Sequence, residues 1–463
     1  MSKTAKNGGN MLEFINDNIV SVVAPVMLLG AGFWFSLKLK FFYIFHPMRI
    51  IKSMTERKNS GGISPFRAVT LALAGTLGVG NIAGVASSIA IGGYGSVFWM
   101  WVSALLAMML KYAEIALAIG HRRRDSTTGE YHGGAAYYIR DTFAQRGKLA
   151  AGKIVALIFS ILCIINSVTM GCVIQSNAIS TSFSGVLRIS PWIVGIAVAL
   201  LCALVIMGNA RWISAFSEKT VPIMTVGYIL LSVAVLTARR DDVPTAFIAI
   251  LRDAFSFKSA AGGAAGFLIS RGLRAGVMRG LMSNEAGCGT APTAHAAADT
   301  DSPARQGFWG LFEVFVDTIL LCTLTALVII VAGDGVLAYA HDPMMMAIKA
   351  YSSILGVWSE YYMCLSVLLF AFATMICWAH YGKESLLAIT KKKGLQVAYI
   401  ITFCLFIVVG AISAPDGVWL AADLAIGVMT IINIPILISS SSEVINETER
   451  FFRTKGIDKK VVK

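Results

Sequence analysis

Two glycine-rich, polar segments interrupt an otherwise apolar chain: Gly75-Thr-Leu-Gly-Val-Gly-Asn-Ile-Ala-Gly-Val-Ala86 and Ser283-Asn-Glu-Ala-Gly-Cys-Gly-Thr-Ala-Pro292. Glycine and proline weaken a helix, and a bilayer offers the freed N–H and C=O groups no water. Broken helix survives at membrane depth only where it is buried in protein or lines a cavity. A pair of such breaks, in corresponding positions of two chain halves, points to the binding site of a secondary transporter.

Composition supplies the membrane. Of 463 residues 56% are hydrophobic and 14% charged, against about 25% charged in a soluble domain. Many apolar runs reach the roughly 18 residues needed to cross hydrocarbon. No polar stretch is long enough for a separate soluble domain, so 1–463 reads as one membrane domain, all-α and polytopic. The net charge of +13 sits between apolar runs and at the C-terminus, where it serves topology, and no basic face with interleaved aromatics suggests nucleic acid. The eight cysteines lie mostly in apolar runs without a C-x-x-C pair, and the six histidines show no ligand spacing. No metal other than Na⁺ and no organic cofactor is expected. No Ser/His/Asp or paired-carboxylate pattern suggests an enzyme.

The apolar runs predict about eleven crossings, near 14–37, 64–92, 94–119, 153–183, 190–208, 219–237, 264–298, 307–332, 357–381, 395–413 and 417–440. The first has no small-residue cleavage site after it and leads into Lys38 and Lys40, so it reads as a retained helix. The seventh is the weakest by hydropathy, being interrupted by Arg271, Arg274, Arg279 and Glu285. With eleven crossings, the basic segments 37–60 and 120–153, the loop with Lys391, Lys392 and Lys393, and the tail with Arg450 and Arg453 share one side. That side should be the cytoplasm of a prokaryotic plasma membrane, with the N-terminus outside. The loop 238–260, with Arg239, Arg240, Arg252 and Lys258, is an exception. The second and seventh crossings are an odd number of spans apart, so they run in opposite directions. This is the arithmetic of two five-helix units related by inversion, 64–237 and 264–440, with 14–37 as an extra helix and 441–463 as a cytoplasmic tail.

Several side chains admit two readings. Gly78-Val-Gly80-Asn-Ile-Ala83 fits a dinucleotide fingerprint, but a membrane helix surrounds it in place of a strand and a soluble βαβ unit. Gly80-x-x-x-Gly84 could serve helix packing alone. Thr76 and Asn81 beside the glycines favour a site, where a half-helix N-terminus suits a carboxylate and freed carbonyls suit Na⁺. Asn284 and Glu285 are unusual in a span, and Glu285 either works or pairs with Arg274 or Arg279. Gln175 and Asn177 line a site or bond between helices, and Glu114 and Asp317 are proton-carrying or structural carboxylates. Trp378 is an interfacial anchor or a pocket wall, and Thr374, one turn earlier, can offer a hydroxyl to a cation.

The chain resembles the alanine or glycine:cation symporter family, the sodium:alanine symporters, through about 64 to 385. The resemblance rests on Gly78-Val-Gly-Asn-Ile-Ala-Gly-Val-Ala86, Phe98-Trp-Met-Trp-Val102, Lys111-Tyr-Ala-Glu114, Gln175-Ser-Asn177, Ser283-Asn-Glu-Ala-Gly287, Gly289-Thr-Ala-Pro292 and Asp317-Thr318. It implies a leucine-transporter-type five-plus-five inverted repeat with one extra N-terminal helix. It also implies Na⁺-coupled, sometimes H⁺-coupled, uptake of small neutral amino acids such as alanine and glycine. Carried over, Thr76, Gly78, Val79, Gly80, Asn81, Gln175, Asn284 and Trp378 would line the substrate site, with Phe183 a further wall. Carbonyls near Ala74 and Leu77, with Ala371 and Thr374, would hold the ion. Val79 stands where the family often carries a hydroxyl, and His380, Lys383 and Glu384 alter a more usual Tyr-Tyr-Gly-Glu-Arg pattern. A monomer is expected, and a non-transporting amino-acid sensor is the rival of another class.

Overall fold

The computed structural model describes residues 11–55, 63–126, 129–207, 210–256, 271–413 and 416–454. Arg57, Lys58, Lys258, the predicted start of the seventh crossing at 264–270 and the tail beyond 454 lie outside the described residues. Among the described residues, eight helices are long and apolar enough to cross a membrane: Met11–Lys38, Gly95–His121, Leu149–Leu187, Trp212–Ala238, Pro303–Val331, Trp358–Ile389, Lys393–Ile412 and Gly417–Ser439. Each matches a predicted apolar run. The run at 190–208 forms the shorter helix Pro191–Ile206. The run at 64–92, and that at 264–298 from Arg271 onward, are helices that stop and restart at the two polar segments.

Numbering only the helices used below, these are α1 Pro65–Thr76, α2 Ala83–Gly92, α3 Gly95–His121, α4 Gln175–Leu187, α5 Arg271–Asn284, α6 Pro292–Ala296, α7 Trp358–Ile389 and α8 Lys393–Ile412. Local chemistry sets their ends. Ser64 caps α1 by accepting from the Arg67 N–H at 3.2 Å, with Pro65 in the first turn where its missing N–H costs nothing. Pro292 restarts helix at α6 for the same reason. Glu285, Gly287 and Gly289 all have positive φ, at 54°, 85° and 83°, and so turn the chain between α5 and α6. Glycine takes this conformation freely; for Glu285 it costs about 1–2 kcal/mol.

The broken helices lie antiparallel. Ile63, just before α1, is bridged to Ala298, just after α6, and the Asp299 N–H donates to the Ile63 carbonyl at 2.7 Å. At the other end, a Cβ on Gly92 would stand 3.1 Å from Gly272 Cα and 2.8 Å from Ala275 Cβ. Helix α3 is buried along most of its length and packs on α5. Asp17 and Glu443 lie at opposite ends of the bundle. Arg274 Nη1, near the start of α5, donates to the Asp17 carbonyl, whereas His121, at the end of α3, contacts Glu443 of the helix Ser441–Thr454.

Candidate functional site

The first break begins where α1 ends, with Leu77 and Gly78 in non-helical conformation. The Asn81 side chain accepts from the Gly78 N–H at 3.2 Å, and Gln175 Oε1 accepts from the Val79 N–H at 3.1 Å. Two amides that a continuous helix would have used are thus satisfied by side chains. Glycine is required at 78 by close approach: a Cβ there would fall 2.7 Å from Thr374 Oγ1 and 3.1 Å from Gln175 Oε1. On the far side, Thr374 Oγ1 donates to the Ala74 carbonyl at 2.9 Å and lies 3.4 Å from the Leu77 carbonyl. Ala371 is fully buried one turn earlier on α7. The structure therefore gathers Ala74, Leu77, Gly78, Val79, Gln175 and Thr374.

Asn81 joins the two breaks. Its Nδ2 lies 3.1 Å from Ser283 Oγ, 2.7 Å from Asp317 Oδ1 and 3.0 Å from the Asp317 carbonyl, and Thr325 Oγ1 donates to its carbonyl. Asp317 Oδ2 accepts from Ser283 and Thr318 at 2.8 and 2.7 Å. Asp317 thus sits where α1–α2, α5 and its own helix meet, and Gly80 faces Ser283, with a Cβ 3.4 Å from Ser283 Cα. Wide π-helical turns at Thr169–Ile174 and Phe315–Cys322 precede Gln175 and contain Asp317. Such turns place side chains off the regular helical register and recur at functional sites.

The second break is held by charge. Asn284 Oδ1 accepts from the Ala286 N–H at 3.0 Å, while its Nδ2 donates to Thr318. The Lys111 ammonium, from α3, donates to the Asn284 carbonyl at 2.6 Å and lies 3.1 Å from Glu313, both ions fully buried. His295 bonds to the other Glu313 oxygen at 3.0 Å and to Gln306 at 2.8 Å. Glu285 accepts from Thr290 at 2.5 Å. It pairs with neither expected arginine, because Arg279 binds Asp423 at 3.2 Å and Arg274 reaches Asp17. Glu114 accepts from Asn433 at 2.6 Å, and Asn433 also donates to the Gly287 carbonyl at 3.0 Å.

Other expected residues lie apart from this centre. The Thr76 hydroxyl turns back to its own helix, toward the Ala72 and Leu73 carbonyls. Phe183 stands eight residues beyond Gln175 on α4, about 12 Å along the axis. Asn177 bonds across to the Gly410 and Ser413 carbonyls at the end of α8, the interhelical alternative. Trp378 is fully buried, with its side chain packed against Gly171, where a Cβ would overlap it at 2.2 Å. That depth excludes the interfacial-anchor reading. Its Nε1 and the Tyr381 hydroxyl have no hydrogen-bond partner among the described residues. Sequence reasoning assigned no role to Lys111, Glu313, His295, Ser283 or Tyr381. A basic residue inside an apolar run was a usable signal for Lys111, and Ser283 opens the second polar segment, whereas His295 gave none that separates it from ordinary polar residues.

Two antiparallel broken helices meet at a buried polar centre within a bundle of membrane-length apolar helices, and the family and relatives that the chain matches make it an integral membrane transporter and not an enzyme. The chain matches the model of the sodium:alanine symporter family over residues 5–463 and belongs to that family. It is 34% identical over 447 residues to the sodium/alanine symporter AgcS of Methanococcus maripaludis, covering 96% of this chain and 97% of the relative. It is 32% identical over 459 residues to the probable sodium/glutamine symporter GlnT of Bacillus subtilis, covering 97% and 92%. In fold it is similar to a manganese transporter of Eremococcus coleocola, with a TM-score of 0.51 at 13% identity, covering 85% of this chain and 80% of that one.

Proposed function

We propose that the protein imports small neutral amino acids, alanine and glycine among them, coupled to Na⁺ by alternating access. The reading rests above all on the oxygens at the end of α1, where the Ala74 and Leu77 carbonyls face the Thr374 hydroxyl. Carbonyls freed at a half-helix C-terminus, with a neutral hydroxyl, suit a small monovalent cation. The hydroxyl that donates to these carbonyls would turn its lone pair to the ion, and the Ala371 carbonyl would complete the set. The backbone at Gly78, Val79 and Gly80, with Asn81, Gln175 and Asn284, would hold the zwitterion, with Trp378 limiting its volume and Phe183 walling the path. Thr76 would act through the end of α1. An inward charge at 100 mV supplies about 2.3 kcal/mol, enough for roughly fifty-fold accumulation.

The same proposal includes eleven crossings arranged as 64–237 and 264–440 in inverted repeat, with 14–37 outside the repeat. The protein would be a monomer, its N-terminus outside and the tail from 441 in the cytoplasm. A second reading, H⁺ coupling, has its own observation: Glu114 Oε2 and Glu285 Oε1 are buried without a hydrogen-bond partner among the described residues. Labelled alanine and glycine uptake into proteoliposomes tests both, with an inward Na⁺ gradient and then an inward H⁺ gradient at matched potential. Accumulation with Na⁺ alone is the expected outcome. Accumulation with H⁺ alone selects the second reading, and binding without accumulation under either gradient turns the protein into a sensor.

A further inference from the structure

The residue that follows α3, Arg122, lies outside the polar centre and binds the end of α6 and the turn after it. Its Nη1 donates to the Ala296 carbonyl at 3.1 Å and, by a short bond, to the Ala298 carbonyl, while Nη2 donates to the Thr300 carbonyl at 2.6 Å. These carbonyls leave the end of α6 and the turn after it, where no helix continues to use them. The guanidinium face lies 3.8 Å from the centre of the Tyr131 ring. Asp299 and Asp301 add charge beside it. The same turn is the one bridged to Ile63 at the start of α1. Arg122 is therefore linked to the end of one broken helix and, through one backbone pairing, to the beginning of the other.

The two glycines after Tyr131 and His132 pack closely on α6. A Cβ on Gly133 would fall 2.6 Å from Ala296 Cβ, and one on Gly134 would fall 2.6 Å from Thr293 Oγ1. A movement that parts α6 and the turn after it from the end of α3 breaks these guanidinium bonds. An Arg fork with several carbonyl acceptors and a stacked ring is oriented as a unit, which a lysine cannot reproduce.

We propose that Arg122 is a positioning residue that latches the basic, cytoplasmic end of the two broken helices shut. Opening to that side then requires its release from the 296–300 turn. This rests on the alternating-access reading above, but its test needs no substrate. Cys288 is a free thiol fully buried in the turn between α5 and α6, beside Glu285 and Thr290, and serves as the probe of access to the centre. Inside-out and right-side-out membrane vesicles carrying the full-length protein are treated with a membrane-impermeant maleimide, and Cys288 modification is followed by peptide mass spectrometry. Arg122→Ala is expected to raise Cys288 labelling from the cytoplasmic face roughly tenfold, as expected when a bistable equilibrium loses one state's contacts. Labelling from the outer face stays unchanged or falls, and Arg122→Lys gives an intermediate rise. Tyr131→Leu, which removes only the stack, gives a smaller rise on the same face and carries the test if Arg122→Ala does not fold. Unchanged labelling, or an equal rise from both faces, overturns the latch. If the wild-type protein accumulates no amino acid, the transport reading fails independently of the labelling.

Discussion

Apart from Asp317, which Asn81 reaches, the break between α1 and α2 is held by neutral groups, whereas the break between α5 and α6 is held largely by charge. At the first, glycine lets Thr374 and Gln175 come close, and the bonds run between amides, hydroxyls and a side-chain amide. At the second, a buried ammonium binds a backbone carbonyl and a buried carboxylate, and Glu285 adopts left-handed backbone. Neutral hydrogen bonds are exchanged at low cost when a ligand arrives, since each contributes about 0.5–1.5 kcal/mol net. A buried ion pair is not, because removing one partner costs about 3–5 kcal/mol. Under the proposed function, the contrast fits ligand exchange chiefly at the first break and scaffolding at the second.

The largest expected effect attacks the scaffold. Lys111→Met takes the ammonium from the buried Glu313 carboxylate and leaves it the His295 bond, at a cost of about 3–5 kcal/mol, and should sharply lower the unfolding temperature of the purified protein in detergent. Lys111→Met with Glu313→Gln should recover part of that loss, since the carboxylate deprived of its ammonium is gone. A double variant no more stable than the single would remove the ionic explanation.

Smaller effects should separate binding from folding at the first break. Gly78→Ala drives a Cβ against Thr374 and Gln175, so Na⁺-driven uptake should fall about tenfold or more with little change in unfolding temperature, equivalent to about 1.4 kcal/mol of lost binding. Thr374→Ala should raise the half-saturating Na⁺ concentration roughly tenfold while Thr374→Ser keeps it near wild type. If Gly78→Ala destabilises the protein as much as Lys111→Met, the two breaks do not differ as argued.

The smallest effect lies outside both breaks and serves as a control. His132, in the loop after α3, bonds Glu384 at 2.9 Å, and that carboxylate raises the imidazole's pKa above its ordinary value. A raised pKa stabilises the fold fully below the unfolded value of about 6.5, and the gain is lost as pH rises through the folded value. The unfolding temperatures of wild type and His132→Ala should therefore differ more near pH 6 than near pH 9. For a part-exposed pair the difference should be under about 1 kcal/mol. A gap that widens toward alkaline pH would reverse the assigned sign.

Much of this was legible in the sequence because membrane helices obey local rules. Apolar run length located the spans, and Gly and Pro located both breaks, since no bilayer-exposed backbone can go unpaired. Asn81 and Thr374 were legible as polar side chains with few reasons to sit at depth. Glu285 and Phe183 show where local reading stops. Sequence proximity suggested Arg274 or Arg279 for Glu285, but those arginines meet acids brought from distant helices. Phe183 shares a helix with Gln175 and still lies two turns away from it.

The sequence by itself determined that the chain crosses a membrane, where its helices break and which motifs tie it to its family, because each depends on composition over a few turns of helix. Only the tertiary structure decided what holds each break. Lys111 meets Asn284 and Glu313, Thr374 meets Ala74, and Arg122 meets the 296–300 turn across sequence separations that no periodicity encodes. Those pairings follow from how the helices pack: burial leaves each polar group only the partners that neighbouring helices bring, and leaving one unmet is costly.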